Sequence, residues 1–365
     1  MMLLSMVFTT AATYLYQSIA REKDFLAHKQ IYGIALGSGV QEWSQQKLET
    51  TFKGIKDLGM DAIRFDISWS ILQPKNQDVF LWEKYDKVIT TAKKYDLKSL
   101  VILDYTPQWA RSSKCKATQM CPPANDTQFA NYAAAVADRY SKYDVHTYEV
   151  WNEENSHQFW ASGANVSEYK ELLHVTAQAI KKADDKAIII MGGLSPAGDP
   201  SEAIAPRDFV RQIYELGGKM DFDAIAYHPY TSPFLISQKE LATNWLLMDG
   251  TADNLRAIMK TNGDEGKNIW VTEYGAATGG SGLGADTQVD SPYYDHVSEE
   301  MQATMAREAV ANARTKPWLK GFFWYTYYDE KKLSSDREGY FGLMTSSGKV
   351  KPAYYQLQQS IKNNK

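Results

Sequence analysis

Two glutamates stand at the ends of apolar runs. Glu153 closes His146-Thr-Tyr-Glu-Val-Trp-Asn-Glu153, and Glu273 sits near the end of Asn268-Ile-Trp-Val-Thr-Glu-Tyr274. A buried strand that ends in a carboxylate needs a reason, because an unpaired buried charge is costly. Two such acids aimed at one point can cleave a glycosidic bond. One hands a proton to the leaving oxygen, and the other, ionised, attacks or stabilises the sugar cation. Proximity alone can divide the roles. At about 5.5 Å and an effective dielectric of ~20, the two charges repel by roughly 3 kcal/mol. That is about two pKa units, enough to lift one glutamate from about 4.3 toward 6. Burial adds to the effect.

Other polar and aromatic residues fall at comparable positions: Arg64 and Asp66, Asp104 and Tyr105, Asn152, His228 and Tyr230, and Trp324. Trp109 follows shortly after Tyr105 and, with it, is a candidate sugar-stacking residue. Trp43, Trp69 and Trp160 are weaker candidates. Asp104 is divided between a structural and a binding role, and Arg64 could simply pair with Asp66. The six histidines form no H-x-H or H-E-x-x-H pair, so no metal site and no cofactor is expected.

Positioning such groups requires a scaffold, and the pattern supplies one. From Ile31 onward, apolar β-rich runs alternate with helical patterns. The runs cover 31–36, 62–67, 98–104, 146–153, 187–193, 222–230, 268–274 and 321–328. Helical patterns follow each run, at about 45–59, 82–95, 126–143, 167–183, 206–216, 251–261, 298–313 and 352–361. Continuous apolar strands are buried on both faces, as in parallel sheets. Eight such units point to a closed (β/α)8 TIM barrel, an α/β fold, in a single domain. A doubly wound sheet is the alternative, but no G-x-G-x-x-G opens a helix here. In a TIM barrel the C-terminal strand ends form the active-site face, which is where the polar residues above fall. Residues 275–284, with five glycines, are expected to form a long loop after the seventh strand.

The 365 residues are 44% hydrophobic and 23% charged, which excludes disordered and collagen-like classes. The net charge of −4, with no block of like charges, argues against a nucleic-acid partner. Residues 1–27 are read as a hydrophobic export signal or membrane anchor plus a short linker, and 28–365 as the catalytic domain. The first twenty residues carry no charge, although a basic n-region and a clear A-x-A site are missing. An N-terminal helix docked on the domain is the plainer alternative. The two cysteines, Cys115 and Cys121, are expected to form a local disulfide; two free thiols are the alternative. Export, a disulfide and possible membrane association through the N-terminus together suggest a secreted or cell-surface protein, expected to be a monomer.

At these motifs the chain resembles clan A glycoside hydrolases. Trp151-Asn152-Glu153-Glu154-Asn155 is similar to their W-N-E-P-N motif, and Val271-Thr-Glu-Tyr-Gly275 to their nucleophile strand. Leu103-Asp-Tyr-Thr-Pro-Gln-Trp-Ala110, Phe341-Gly-Leu343 and Lys351-Pro-Ala-Tyr354 point toward family 39-like members, with family 5 as the neighbouring option. The resemblance covers residues 31–362. It implies a retaining mechanism with Glu153 as acid/base and Glu273 as nucleophile. Asn152 would hold the sugar 2-hydroxyl, and Arg64 would keep the nucleophile ionised. His228 and Tyr230 would order the nucleophile's surroundings, and Trp324 would form the sugar platform. Glu154 departs from the motif's proline: either it shifts the neighbouring acid, or it points to solvent.

The expected activity is a retaining hydrolysis of β-linked O-glycosidic bonds in oligo- or polysaccharides, with an acidic optimum of about pH 5–6. A transglycosylase using the same site and a non-catalytic sugar-binding barrel are the alternatives. The sugar, and exo against endo cleavage, are set by loops and are not legible here.

Overall fold

In a computed structural model, residues 30–196, 201–278, 296–330 and 337–362 are described. The proposed N-terminal signal or anchor, and most of the glycine-rich loop, lie outside them. Eight parallel strands close into a barrel in sequence order. They are β1 Ile31–Ala35, β2 Ala62–Ser68, β3 Lys98–Asp104, β4 Thr147–Asn152, β5 Ile188–Leu194, β6 Ala224–Tyr227, β7 Asn268–Tyr274 and β8 Leu319–Tyr325. The helices that follow the strands are α1 Gln45–Leu58, α2 Glu83–Lys94, α3 Asp126–Tyr140, α4 Val166–Ala183, α5 Pro206–Glu215, α6 Leu255–Thr261, α7 Glu299–Arg314 and α8 Pro352–Lys362. Single turns of helix at Trp69–Leu72 and Thr243–Leu246 were not foreseen in the sequence.

Local chemistry sets the boundaries. Ser44, Asn125, Asn165, Asn254 and Ser298 each accept a backbone N–H at a helix start. Asn125 and Asn165 thus serve as helix caps. Gly59, at φ 94°, ends α1 in the left-handed region.

The strand pleat sorts residues into two layers. Outward residues such as Ile63, Val101, Val150 and Trp324 join the large core between strands and helices. Inward residues form a separate core of Ala35, Ala62, Leu100, Ile190, Ala224, Ala226, Trp270 and Phe323. The Trp270 and Phe323 rings stack inside the barrel, with centroids 6.2 Å apart. Gly321 and Gly33 admit them, since a Cβ there would lie 2.1 Å and 2.4 Å from ring atoms. This plug fills the lower barrel and leaves the C-terminal strand ends to the polar residues. No helix among the described residues is long and apolar enough to cross a membrane.

Candidate active site

Arg64 lies at the centre of the polar layer. Its parity on β2 turns it inward beside Leu100, and it is buried. Its Nε and Nη2 donate to both oxygens of Glu149, at 2.7 Å and 2.9 Å. Nη1 donates to Glu273 Oε1 at 2.5 Å, and Nη2 also reaches Asn152 Oδ1 at 2.8 Å. Two carboxylates thus share one guanidinium, whose fixed fork suits bidentate pairing. No Arg64–Asp66 hydrogen bond forms among these donors. Arg64 pairs with Glu149 and Glu273 instead.

Glu273 leaves β7 at a register irregularity that turns it toward the cavity. Its second oxygen accepts from the Tyr230 hydroxyl at 2.8 Å. Burial opposes ionisation of this carboxyl, but the His228 ring, the Arg64 charge and the Tyr230 hydrogen bond outweigh it. The group is held below the usual carboxylate range.

Glu153 follows β4 on a backbone with φ 52°, and Trp151 before it has φ 71°. Left-handed geometry at such residues costs on the order of 1–3 kcal/mol and is tolerated where surrounding structure imposes it. The two turns swing Glu153 over the cavity, where Oε1 lies 2.9 Å from His228 Nδ1. His228 Nε2 lies 3.1 Å from Thr272 Oγ1, whose hydroxyl donates to Glu149 Oε1 at 3.2 Å. One oxygen each of Glu153 and Glu273 and one nitrogen of His228 lie within 4.8 Å of one another. These atoms are already engaged by Arg64, Tyr230 and each other. The cluster is organised as a hydrogen-bonded acid pair, and we assign it no metal.

The structure therefore brings together Arg64, Asn152, Glu153, His228, Tyr230 and Glu273. His228 and Tyr230 reach the site from the loop after β6, which is shorter than its apolar run suggested. Asp104 points inward but is sealed, and neither oxygen has a hydrogen-bond partner. Burial and then the neighbouring Asp66 push its carboxyl well above the ordinary range. It lies sealed beneath the cavity and is not a group open to substrate. Tyr105, at φ 54°, is buried with its ring edge-on to Trp151. Burial raises its hydroxyl, and the charges of Asp104, Asp66, Glu153 and Glu273 add to this, so it borders the site.

One further expectation is corrected. Trp324 faces the helix layer, fully buried, with its ring against Tyr274. On β8 the inward residues are Phe323 and Tyr325, so Trp324 cannot be a sugar platform, and the half-buried Tyr325 takes the cavity-side position. Trp109 packs edge-on against Trp69 and donates its Nε1–H to the Gln73 carbonyl, as part of an aromatic cluster beside β3. Trp69 and Trp160 are fully buried, whereas Trp109 is only partly so.

Glu154 does not point to solvent. It is fully buried with neither oxygen at hydrogen-bonding geometry, and burial pushes its carboxyl well above the usual range. Gly192 makes the room, since a Cβ there would lie 2.2 Å from Glu154 Oε2. Cys115 and Cys121 are joined by a disulfide in the loop after β3.

Glu149 and Thr272 were missed in the sequence. The available signal was a charge inside the apolar run Tyr148-Glu149-Val150, on the parity that faces the barrel interior.

A parallel eight-stranded barrel with two close glutamates at its C-terminal mouth defines the clan A class of glycoside hydrolases. Residues 20–312 match the cellulase model, glycosyl hydrolase family 5. The chain belongs to that family. A stretch of 117 residues, 30% of this chain and 22% of the relative, is 35% identical to a β-xylosidase of Geobacillus stearothermophilus. The chain thus spans about a fifth of that relative's length. Among solved structures, a family 39 glycoside hydrolase from Bacteroides cellulosilyticus superimposes with a TM-score of 0.68 at 21% identity, covering 91% of this chain and 64% of that one. A monomeric β-xylosidase from Caulobacter crescentus gives 0.62 at 22% identity over 90% and 67%. A GH5_18 enzyme from Streptomyces cattleya gives 0.67 at 14% identity over 92% and 81%. The family 39-like and family 5 features expected from the motifs are both represented.

Proposed function

We propose that the protein hydrolyses β-linked O-glycosides with retention, Glu153 serving as acid/base and Glu273 as nucleophile. The observation that carries this reading is that one oxygen of each carboxylate comes within 4.8 Å of one oxygen of the other at the barrel mouth. Retaining enzymes hold the pair at about 5–5.5 Å, whereas about 6.5–9.5 Å is needed to seat an attacking water.

The division of roles follows from the partners. Glu273, against Arg64 and Tyr230, is kept ionised and can attack the anomeric carbon. Glu153, bonded to His228, gives a proton to the leaving oxygen as the glycosyl–Glu273 ester forms. It then removes a proton from the water that attacks this ester, which releases the sugar and restores both acids. Asn152, fixed by Arg64, is placed for the sugar 2-hydroxyl, and Tyr325 offers an aromatic edge. A xylose-type pyranoside is favoured as substrate by the two similar β-xylosidases, and the disulfide supports action outside the cell.

The test is hydrolysis of an aryl β-glycoside panel by wild type, Glu153→Ala and Glu273→Ala. Both variants should lose turnover, and azide should yield a β-glycosyl azide with Glu153→Ala and an α-glycosyl azide with Glu273→Ala. Equal rates in all three proteins would refute the assignment.

A further inference from the structure

The hydrogen atoms of the chain from Glu153 to Glu149 can be placed by elimination. Glu149 is fully buried and takes two charge-assisted bonds from Arg64, so it is an ionised, acceptor-only group. The Thr272 hydroxyl, 3.2 Å from Glu149 Oε1, must direct its single hydrogen there. Its oxygen is then left to accept, and the group facing it among the described residues, at 3.1 Å, is His228 Nε2. His228 Nε2 therefore carries hydrogen. In a neutral imidazole, Nδ1 is then an acceptor, and it lies 2.9 Å from Glu153 Oε1. A hydrogen must sit between those two atoms, so Glu153 and His228 hold one proton between them. The opposite tautomer would leave the Nε2 lone pair facing the lone pair of the Thr272 oxygen.

Space is reserved for this chain. A Cβ on Gly193 would fall 2.2 Å from His228 Nε2 and 2.8 Å from Glu149 Oε1. His228, Thr272 and Glu149 are all sealed from solvent, so water cannot substitute for the missing partner. Other titratable groups around the pair include Glu273, 3.8 Å from His228 Nδ1, Tyr230, with its ring edge-on to His228, Tyr105, just beyond β3, and the buried Glu154, both of which interact with Glu153.

We propose that Thr272 is a positioning residue that fixes the tautomer of His228 and so parks the catalytic proton on the Glu153 side of the pair, facing the leaving oxygen. This rests on Glu153 being the acid/base. The proton given to the leaving oxygen is the one shared by Glu153 and Nδ1, and the water of the second step returns it, so His228 ends each cycle in the same tautomer.

The test uses the full chain carrying Thr272→Val, which keeps the shape and loses the hydroxyl, and Thr272→Ser, which keeps the hydroxyl. With ¹⁵N-labelled histidine, and His228 assigned through His228→Gln, wild type and Thr272→Ser should show the neutral Nε2–H form; an imidazolium in wild type would place the proton on His228 and overturn the proposal. Thr272→Val should show a substantial Nδ1–H population. In the same proteins, kcat/KM for a phenyl glycoside, which needs the acid, should fall about tenfold or more in Thr272→Val. It should fall much less for the dinitrophenyl glycoside, and serine should restore it. An unchanged tautomer in Thr272→Val, or a serine variant no better than valine, would overturn the proposal. The ring spectrum is read without substrate, so the proposal can fail while Glu153→Ala still abolishes turnover. Should Glu153→Ala turn out fully active, the acid/base reading fails on its own account. Should valine unfold the chain, Thr272→Ala with the same spectrum decides the matter.

Discussion

Replacing Asp66 by asparagine should change how stability depends on pH. Asp66 points inward on β2, two residues beyond Arg64, and is nearly buried. The Arg64 donors described above are spent on Glu149, Glu273 and Asn152. Burial therefore dominates; Arg64 opposes it, but Glu273 and Glu149 add to it, and the carboxyl is pushed up to about 7 from 3.8. An acid whose value is raised on folding favours the native state while protonated. Its contribution is complete below about pH 3.8 and is lost progressively as pH rises to about 7. A gap of about three pH units corresponds to about 4 kcal/mol. Part of this is shared with Asp104, since removing the Asp66 charge also relieves its neighbour. We expect Asp66→Asn to gain at least about 2 kcal/mol relative to wild type between pH 5 and pH 8. Urea unfolding at both values, followed by tryptophan fluorescence, measures the difference. A variant-to-wild-type difference that stays constant with pH would refute the reasoning.

Three further outcomes follow from the same contacts. Arg64→Met should cost about 3–5 kcal/mol, because it strands the buried Glu149, and adding Glu149→Met should recover much of the loss in thermal unfolding. Glu154→Leu removes a buried acid that has neither oxygen at good hydrogen-bonding geometry and whose burial is offset only in part by its own backbone N–H and the Tyr169 hydroxyl; its melting temperature should match or exceed wild type near pH 6, with a margin that widens at higher pH as the wild-type acid is forced to ionise. Glu273 is held below its ordinary value, so it supports folding above about pH 4.5, and that support is lost as pH falls through its lowered value; the acid limb of kcat/KM should likewise lie below about pH 4.5, as a pH–rate profile would show.

The barrel was legible because buried parallel strands leave an unmistakable apolar pattern, and β3 and β7 fall where the sequence placed them. The last strand was misread at Trp324 for a reason of parity. Phe322, Phe323, Trp324 and Tyr325 are all aromatic, so composition cannot say which side faces the cavity, whereas pairing of β8 with β1 and β7 fixes Phe323 and Tyr325 inward. Glu149 and Thr272 lie inside their strands, and their value depends on Arg64 and His228, which come from other strands. Glu154 could be flagged as a departure from a motif, but its burial depends on Gly192 across the sheet. Residue type announced the reacting pair, while the groups that hold its protons emerged only when the barrel closed.

Trapping of a covalent intermediate tests the central claim most directly. The full chain would be incubated with activated 2-deoxy-2-fluoro β-xyloside, glucoside and mannoside, then digested and analysed by mass spectrometry. One reagent should inactivate the enzyme stoichiometrically and leave its fluorosugar on the peptide bearing Glu273, at that residue. Inversion of the anomeric centre during turnover, or a label lodged on Glu153 instead, would contradict the account.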